Sequence, residues 1–340
     1  MKKLSICIPA YNRANKLEEL LSSIINQNFK DYQIVIAEDY SAERKKISQI
    51  VLKYKKKYPD IDIKYFENES NFGYDKNYRR LIDLAEGKYC FFMGNDDLVY
   101  PNGLNSISRI LDSYSNIGVV IRSYATFKND PNKLIEIFKY SKNELYLPPG
   151  PKSIAYSFRR SVIGSGMVYE RESAKRFHTN IFDGTLLYQI YLVSRILEEK
   201  YVVFNPEITV LYRLGGIPDF GNSKNEKNKF TPKKQTIESS INFMKGMIDI
   251  AKYAGRNEKE IFRLIIKDIS IYSYPIISIQ SHRNKKEFMK YIFSLIKIGI
   301  GNNILFYIYV IGLLFLGKKF MDIFIILGKK LFGSTPNFFK

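Results

Sequence analysis

Through its first 125 residues the chain alternates short apolar runs with stretches of helical period, and no other feature so narrows what it can fold into. Residues 5–9, 32–37, 61–66, 89–93 and 118–123 are apolar or β-rich and read as strands. Between the first two, Leu17, Leu20, Leu21, Ile24 and Ile25 mark one face of a helix over residues 14–28. Ile47, Ile50, Val51 and Tyr54 mark a second helix; residues 73–86 give a third, with Gly87 at its C′ position, and Leu104, Ile107, Leu111 and Tyr114 a fourth. The unbroken run 89–93 predicts a strand covered on both faces. Such alternation builds an α/β fold with a mostly parallel sheet, whose ligands bind beyond the carboxyl ends of the strands. The polar residues at those ends, 10–13, 38–41, 67–75 and 94–101, are the candidates for chemistry.

From Pro148 the pattern is mixed. A Pro/Gly loop at 148–151 leads to a short strand at 164–170, a helix at 184–198, and strands at 201–204 and 208–213. Residues 215–230, rich in Gly, Asn and Lys, read as a mobile loop, and helices follow at 233–254 and 258–269. The expected division is a catalytic domain over 1–215 (halves 1–125 and 126–215), a linker at 216–231, and a helical, basic region over 232–340. A hydrophobic fraction of 45% excludes wholesale disorder. Two cysteines and two histidines exclude a disulfide scaffold, a cysteine-rich zinc module and a histidine-built metal centre. The net charge of +19 calls for an anionic partner, and +13 of it lies in residues 221–340. There the basic residues flank long apolar runs, 304–316 and 320–327, which argues against a nucleic-acid surface.

A helix of about 14 residues spans roughly 21 Å, short of the roughly 30 Å hydrocarbon core. The tail is therefore expected to lie in a membrane interface, with Lys318, Lys319, Lys329 and Lys330 facing anionic lipid. Removing residues after Asn302 is expected to detach the chain and leave the first domain folded. The opening MKKLSICIPAYNR holds too short an apolar run for a secretory signal, so catalysis is expected on the cytoplasmic face of the membrane.

In the loop after residue 93, Asn95, Asp96 and Asp97 bring two adjacent carboxylates to a strand end, where like charges resist joint ionisation. A hard divalent cation, Mn²⁺ or Mg²⁺, relieves that repulsion, held by carboxylate and substrate phosphates. Pro9, Tyr11 and Arg13 supply an aromatic face and a cation beside it, and Glu38 and Asp39 supply acceptors for the N–H of a nucleobase.

Four segments in order, SICIPAYNR, IVIAEDYSAE, NFGYDKNYRRLIDLAEGKY and FFMGNDDLVYP, resemble the family 2 glycosyltransferases of the GT-A fold, nearest to bacterial O-antigen and surface-polysaccharide enzymes. The resemblance implies a metal-dependent, inverting transfer from a nucleoside diphosphate sugar to a saccharide or lipid-linked saccharide. Pro9, Tyr11 and Arg13 would then line the base pocket and Asp39, with Glu38, would hold the base. Asn71, Gly73, Asp75 and Asn77 would lie near the nucleotide, and Arg79 or Arg80 near the diphosphate. Asn95, Asp96 and Asp97 would stand at the DXD metal motif, Asp96 and Asp97 as ligands, with Gly94 where the first Asp is usual. Asp183 is the implied catalytic base, with Glu170 and Glu172 as alternatives and helix N-capping as its structural reading. A nucleotide-sugar-binding partner subunit without turnover is the competing function.

Overall fold

The computed structural model describes residues 1–216 and 218–332. The first half runs β1 (Leu4–Ala10), α1 (Ala14–Ile25), β2 (Tyr32–Glu38), α2 (Arg44–Lys57), β3 (Ile63–Glu67), α3 (Tyr74–Leu84), β4 (Tyr89–Phe92), β5 (Leu98–Val99), α4 (Gly103–Ser113) and β6 (Ile117–Phe127). It continues with β7 (Glu136–Phe138), β8 (Leu145–Leu147), α5 (Pro151–Phe158), β9 (Val168–Glu170), α6 (Arg171–Arg176), α7 (Tyr188–Ile196) and β10 (Tyr201–Arg213). The remainder is helical: α8 (Ile237–Ala254), α9 (Lys259–Ile271), α10 (Tyr274–Ser278), α11 (Lys285–Lys297), α12 (Ile304–Phe315) and α13 (Gly317–Phe332).

One sheet organises the molecule, in the order β3-β2-β1-β4-β9-β6-β10-β5, with β7 on β6 and β8 on β10. The first four strands are parallel, as the alternation predicts, whereas β9 runs antiparallel to both β4 and β6. Side chains divide by period two. Leu4, Ile6 and Ile8 of β1 and Phe91 of β4 enter the core with α1, α2 and α4, while Cys7, Cys90 and Phe92 enter the opposite core with α3. Both faces are thus covered, which is why residues 89–93 carry no polar position.

Three local expectations change. Helix α3 stops at Leu84, and Gly87 serves close approach instead: a Cβ there would lie 2.6 Å from the Ser5 nitrogen of β1. The two strands at 201–204 and 208–213 are one, β10, broken in register between Phe204 and Ile208 around Pro206, which cannot donate to the ladder. Helix α7 begins at Tyr188 rather than 184, after a turn in which Leu186 has φ 65°.

The helices after residue 232 share the core of the first half instead of building one of their own. Ile248, Ile265, Tyr291 and Phe306 belong to the same buried cluster as Tyr78, Phe92 and Phe204. An ionic lock reinforces the junction: Asp268 of α9 accepts from Arg159 Nε at 2.7 Å and from Arg160 Nη1 at 3.3 Å in the turn after α5. Because Phe306, Val310 and Leu313 are buried, removing the chain beyond Asn302 would uncover this common core, contrary to the expectation of an intact remainder. Asp268→Ala should strand two guanidinium groups in the interior and lower stability by about 3–5 kcal/mol, read as a fall in the urea midpoint.

Candidate functional site

The start of α3 gathers the polar strand ends. Asp39, just past β2, accepts the backbone N–H of Phe72 at 2.7 Å and of Gly73 at 2.9 Å, and Asn68 Nδ2 at 2.7 Å. Burial pushes its carboxyl up to about 6 against those hydrogen bonds. Asn71 Oδ1 also accepts from Gly73 N, at 3.0 Å, and half-buried Tyr11 meets Asn71 through its hydroxyl. Tyr11, Asp39, Asn71 and Gly73 are therefore neighbours around one hollow, with Pro9 on β1 beside them. Asn77 lies behind, donating to Ala37 O at 3.1 Å and accepting from Asn68, so it ties α3 to β2. Glu38 spends its two oxygens on the N–H groups of Tyr40 and Ser41, each at 2.9 Å, and shapes the turn that carries Asp39.

Asp75 points away from this hollow. Its carboxylate accepts the N–H groups of Gly184, Thr185, Leu186 and Tyr188, so α7 is capped from α3 and not by Asp183. Asp183 instead makes a two-pronged ion pair with Arg79, Nη2 to Oδ2 at 2.8 Å, and does not line the pocket beside Asp96. Glu170 bonds Ser173 and Lys200, and Glu172 pairs with Arg171 on the surface. Arg80 lies over the Phe72 ring. Neither Arg79 nor Arg80 lines the pocket beside Asp96.

The loop after β4 separates its two acids. Asp97 is buried, held by the Ser165 hydroxyl on Oδ2 and by the Arg213 N–H on Oδ1 at 2.8 Å, and burial with neighbouring Asp96 pushes it up to about 7. Asp96 faces outward and pairs with Arg13 at 2.8 Å. Asn95 donates to Asn12 O at 2.9 Å and fixes the loop against the end of β1. Gly94 has a steric reason: a Cβ would lie 2.9 Å from Ser165 Oγ and 3.0 Å from Asp97 Oδ2, so the usual first Asp has no room while those two groups are joined. The protein therefore offers a cation one outward carboxylate, already paired with a guanidinium, and among the described residues no cluster of three His, Cys, Asp or Glu exists. A Mn²⁺ or Mg²⁺ ion at Asp96 would therefore need substrate phosphates to complete its shell.

Residues 218–231 are packed rather than loose. Glu226 accepts from Tyr74 N at 2.7 Å and Gly221 N at 2.9 Å, Asp219 accepts from Asn12 at 2.8 Å, and Phe220 sits edge-on to Tyr74. Sequence reasoning passed over Asn68, Ser165, Arg213, Asp219 and Glu226. Asn68 lay inside a flagged strand end, whereas the others come from segments with no motif.

The architecture is the GT-A fold with a helical C-terminal region. Staphylococcus aureus TarS 1–349, solved in complex with UDP-GlcNAc, superposes with TM-score 0.62 at 16% identity, over 87% of this chain and 80% of that one. The mannosyltransferase PcManGT of Pyrobaculum calidifontis, in complex with GDP-Man and Mn²⁺, gives 0.52 at 12% identity over 91% and 78%. Residues 5–177, just over half of the 340, match glycosyl transferase family 2, and the chain belongs to that family. Abequosyltransferase RfbV of Salmonella typhimurium is 35% identical over 114 residues, 34% of each chain. The GalNAc(5)-diNAcBac-PP-undecaprenol beta-1,3-glucosyltransferase of Campylobacter jejuni is 34% identical over 108 residues, 32% of this chain and 34% of its own. The match thus spans about a third of the length of these two relatives.

Burial pushes Asp75 from 3.8 up to about 7, so between those values the folded chain holds a proton that the unfolded chain has lost. Its contribution to stability is complete below the lower value and is lost as pH rises to the upper one. Denaturant midpoints should fall across that window, and Asp75→Asn should flatten the fall.

Proposed function

We propose that this chain transfers a sugar from a nucleoside diphosphate donor to a saccharide acceptor in the synthesis of a bacterial surface polysaccharide. The observation that carries the reading is the meeting of Tyr11, Asp39, Asn71 and Asp96, from the ends of β1, β2 and β4 and the start of α3, along one edge of the sheet. Family membership and the names of the relatives support it. Pro9 and Tyr11 flank the base, Asp39 accepts its ring N–H while holding Gly73, and Asn95 and Asp96 flank the sugar phosphate.

In this reading the acceptor hydroxyl oxygen attacks the anomeric carbon as the carbon–oxygen bond to the diphosphate breaks. The diphosphate leaves with the bonding electrons, the hydroxyl proton passes to a carboxylate, and the sugar inverts. Asp183 is the carboxylate we assign. Its pair with Arg79 occupies both carboxylate oxygens, so acceptor binding has to open the pair. The functional division at 1–215, 216–231 and 232–340 then separates transfer, a cover over the donor hollow, and attachment.

The acceptor is proposed to be lipid-linked, with the chain held at an anionic membrane surface by α12 and α13. No helix among the described residues is long and apolar enough to cross a membrane. Helix α12 buries Phe306, Val310 and Leu313, while Ile304, Tyr307, Ile308, Ile311 and Phe315 form an exposed stripe on its other side. Phe320, Ile323, Phe324 and Leu327 continue it on α13, beside Lys318 and Lys319; the side chains of Lys329 and Lys330 lie outside the described residues. Scattered surface apolar residues need no explanation, but a continuous stripe beside cations fits an interface.

Three outcomes test the reading. Asp39→Asn places an amide against the Phe72 and Gly73 N–H groups and should weaken nucleoside diphosphate binding more than about tenfold by calorimetry. Asp183→Asn should lower kcat by about 10²–10⁴ with donor affinity unchanged. Full rate in Asp183→Asn would dismiss it as the base, and donor binding without transfer to any acceptor extract would favour the partner-subunit reading. Ile308→Glu with Ile311→Glu should move the chain off anionic vesicles without loss of fold, since both side chains are already exposed.

A further inference from the structure

Four basic side chains from four parts of the fold line one pocket of about 420 Å³ beside Asp96. Arg13 comes from the turn before α1, Lys16 from its first turn, Lys128 from just past β6 and Arg213 from the end of β10; the backbone of Gly215 and Gly216 closes the rim. Their partners leave charge to spare. Arg13 pairs with Asp96, while Lys16 and Arg213 share Glu19 at 2.8 Å and 2.5 Å, and among the described residues Lys128 pairs with no carboxylate. Arg213 is also fixed through Nε to the Asp96 carbonyl at 2.8 Å and against the Phe127 ring, so its guanidinium is preorganised. Four cations face Asp96, Glu19 and the buried Asp97, so the lining stays net basic and suits the negative charge of a sugar-linked diphosphate.

We propose that this pocket takes the donor diphosphate and that Arg13, Lys16, Lys128 and Arg213 neutralise it, so that transfer does not require a divalent cation. The inference rests on the nucleotide-sugar reading and deepens it. It also accounts for the loop after β4. With Asp97 turned inward on Ser165 and no room for a side chain at Gly94, one acid, Asp96, is left facing the pocket, and it already answers Arg13 through Oδ2. Charge developing on the leaving diphosphate meets fixed guanidinium and ammonium groups in the place a metal would take, the arrangement that charge-assisted phosphate binding favours. The diphosphate has only to displace Asp96 from Arg13, and Asp96 is then free to accept from a hydroxyl of the sugar.

Calorimetry with UDP, GDP, CDP and dTDP on the full chain, in excess EDTA and in MnCl₂, tests the proposal. The nucleoside diphosphate that binds should do so within about threefold under both conditions, and Lys128→Gln, an exposed change, should weaken it about tenfold while leaving the parent nucleoside unaffected. Transfer from the matching radiolabelled donor should survive the chelator and fall with Lys128→Gln and Lys16→Gln. Binding or transfer abolished by EDTA and restored by Mn²⁺, with the lysine variants neutral, overturns this inference and leaves the donor reading standing. Binding of none of the four diphosphates, with or without Mn²⁺, overturns both.

Discussion

Buried carboxylates that cap backbone N–H groups hold the candidate site together. The first turn of α3 and the loop before it expose donors that no helix can satisfy internally, and leaving them unpaired in the interior is costly. Asp39 from β2 takes those of Phe72 and Gly73, and Glu226 from 150 residues downstream takes that of Tyr74. Asp75, on the same turn, reaches outward to cap the turn before α7. The turn after β2, residues 218–231 and the start of α7 are therefore fastened at one point, the first turn of α3.

Buried charge is used differently at the other end of the molecule. The Asp268 lock and the shared apolar cluster make α8–α13 part of the fold of the first half. A wholly apolar helix such as α12 then has two faces to place: one enters that core, and the other is exposed among the described residues.

Electrostatics around Asp96 and Asp97 turn on a contest between two demands. Adjacent acids repel, and the chain relieves the repulsion by burying one on Ser165 and pairing the other with Arg13. That solution ties up Asp97 and one oxygen of Asp96, and basic groups line the pocket beside them. Gly94 belongs to the same solution, because a larger residue would push Ser165 off Asp97.

Much of this was legible in the sequence. Period-two and period-3.6 patterns depend only on which face of an element meets the core, so the strands, most helices and the strand-end loops could be read directly, as could the two apolar helices of the tail. Tyr11 and Asp39 directly follow β1 and β2, and Asn71 and Asp96 lie in the loops after β3 and β4, the places that the strand pattern marks. Only the tertiary structure decided what those groups touch. Asp75 rather than Asp183 caps the turn before α7, Asp183 pairs with Arg79, Asp97 turns inward, and Arg213, Lys128 and Glu226 come beside these groups from segments with no local signal. The physical reason is range: hydrophobic period is a property of neighbours in sequence, whereas a carboxylate's partner is whatever donor folding leaves unsatisfied within about 3 Å of it.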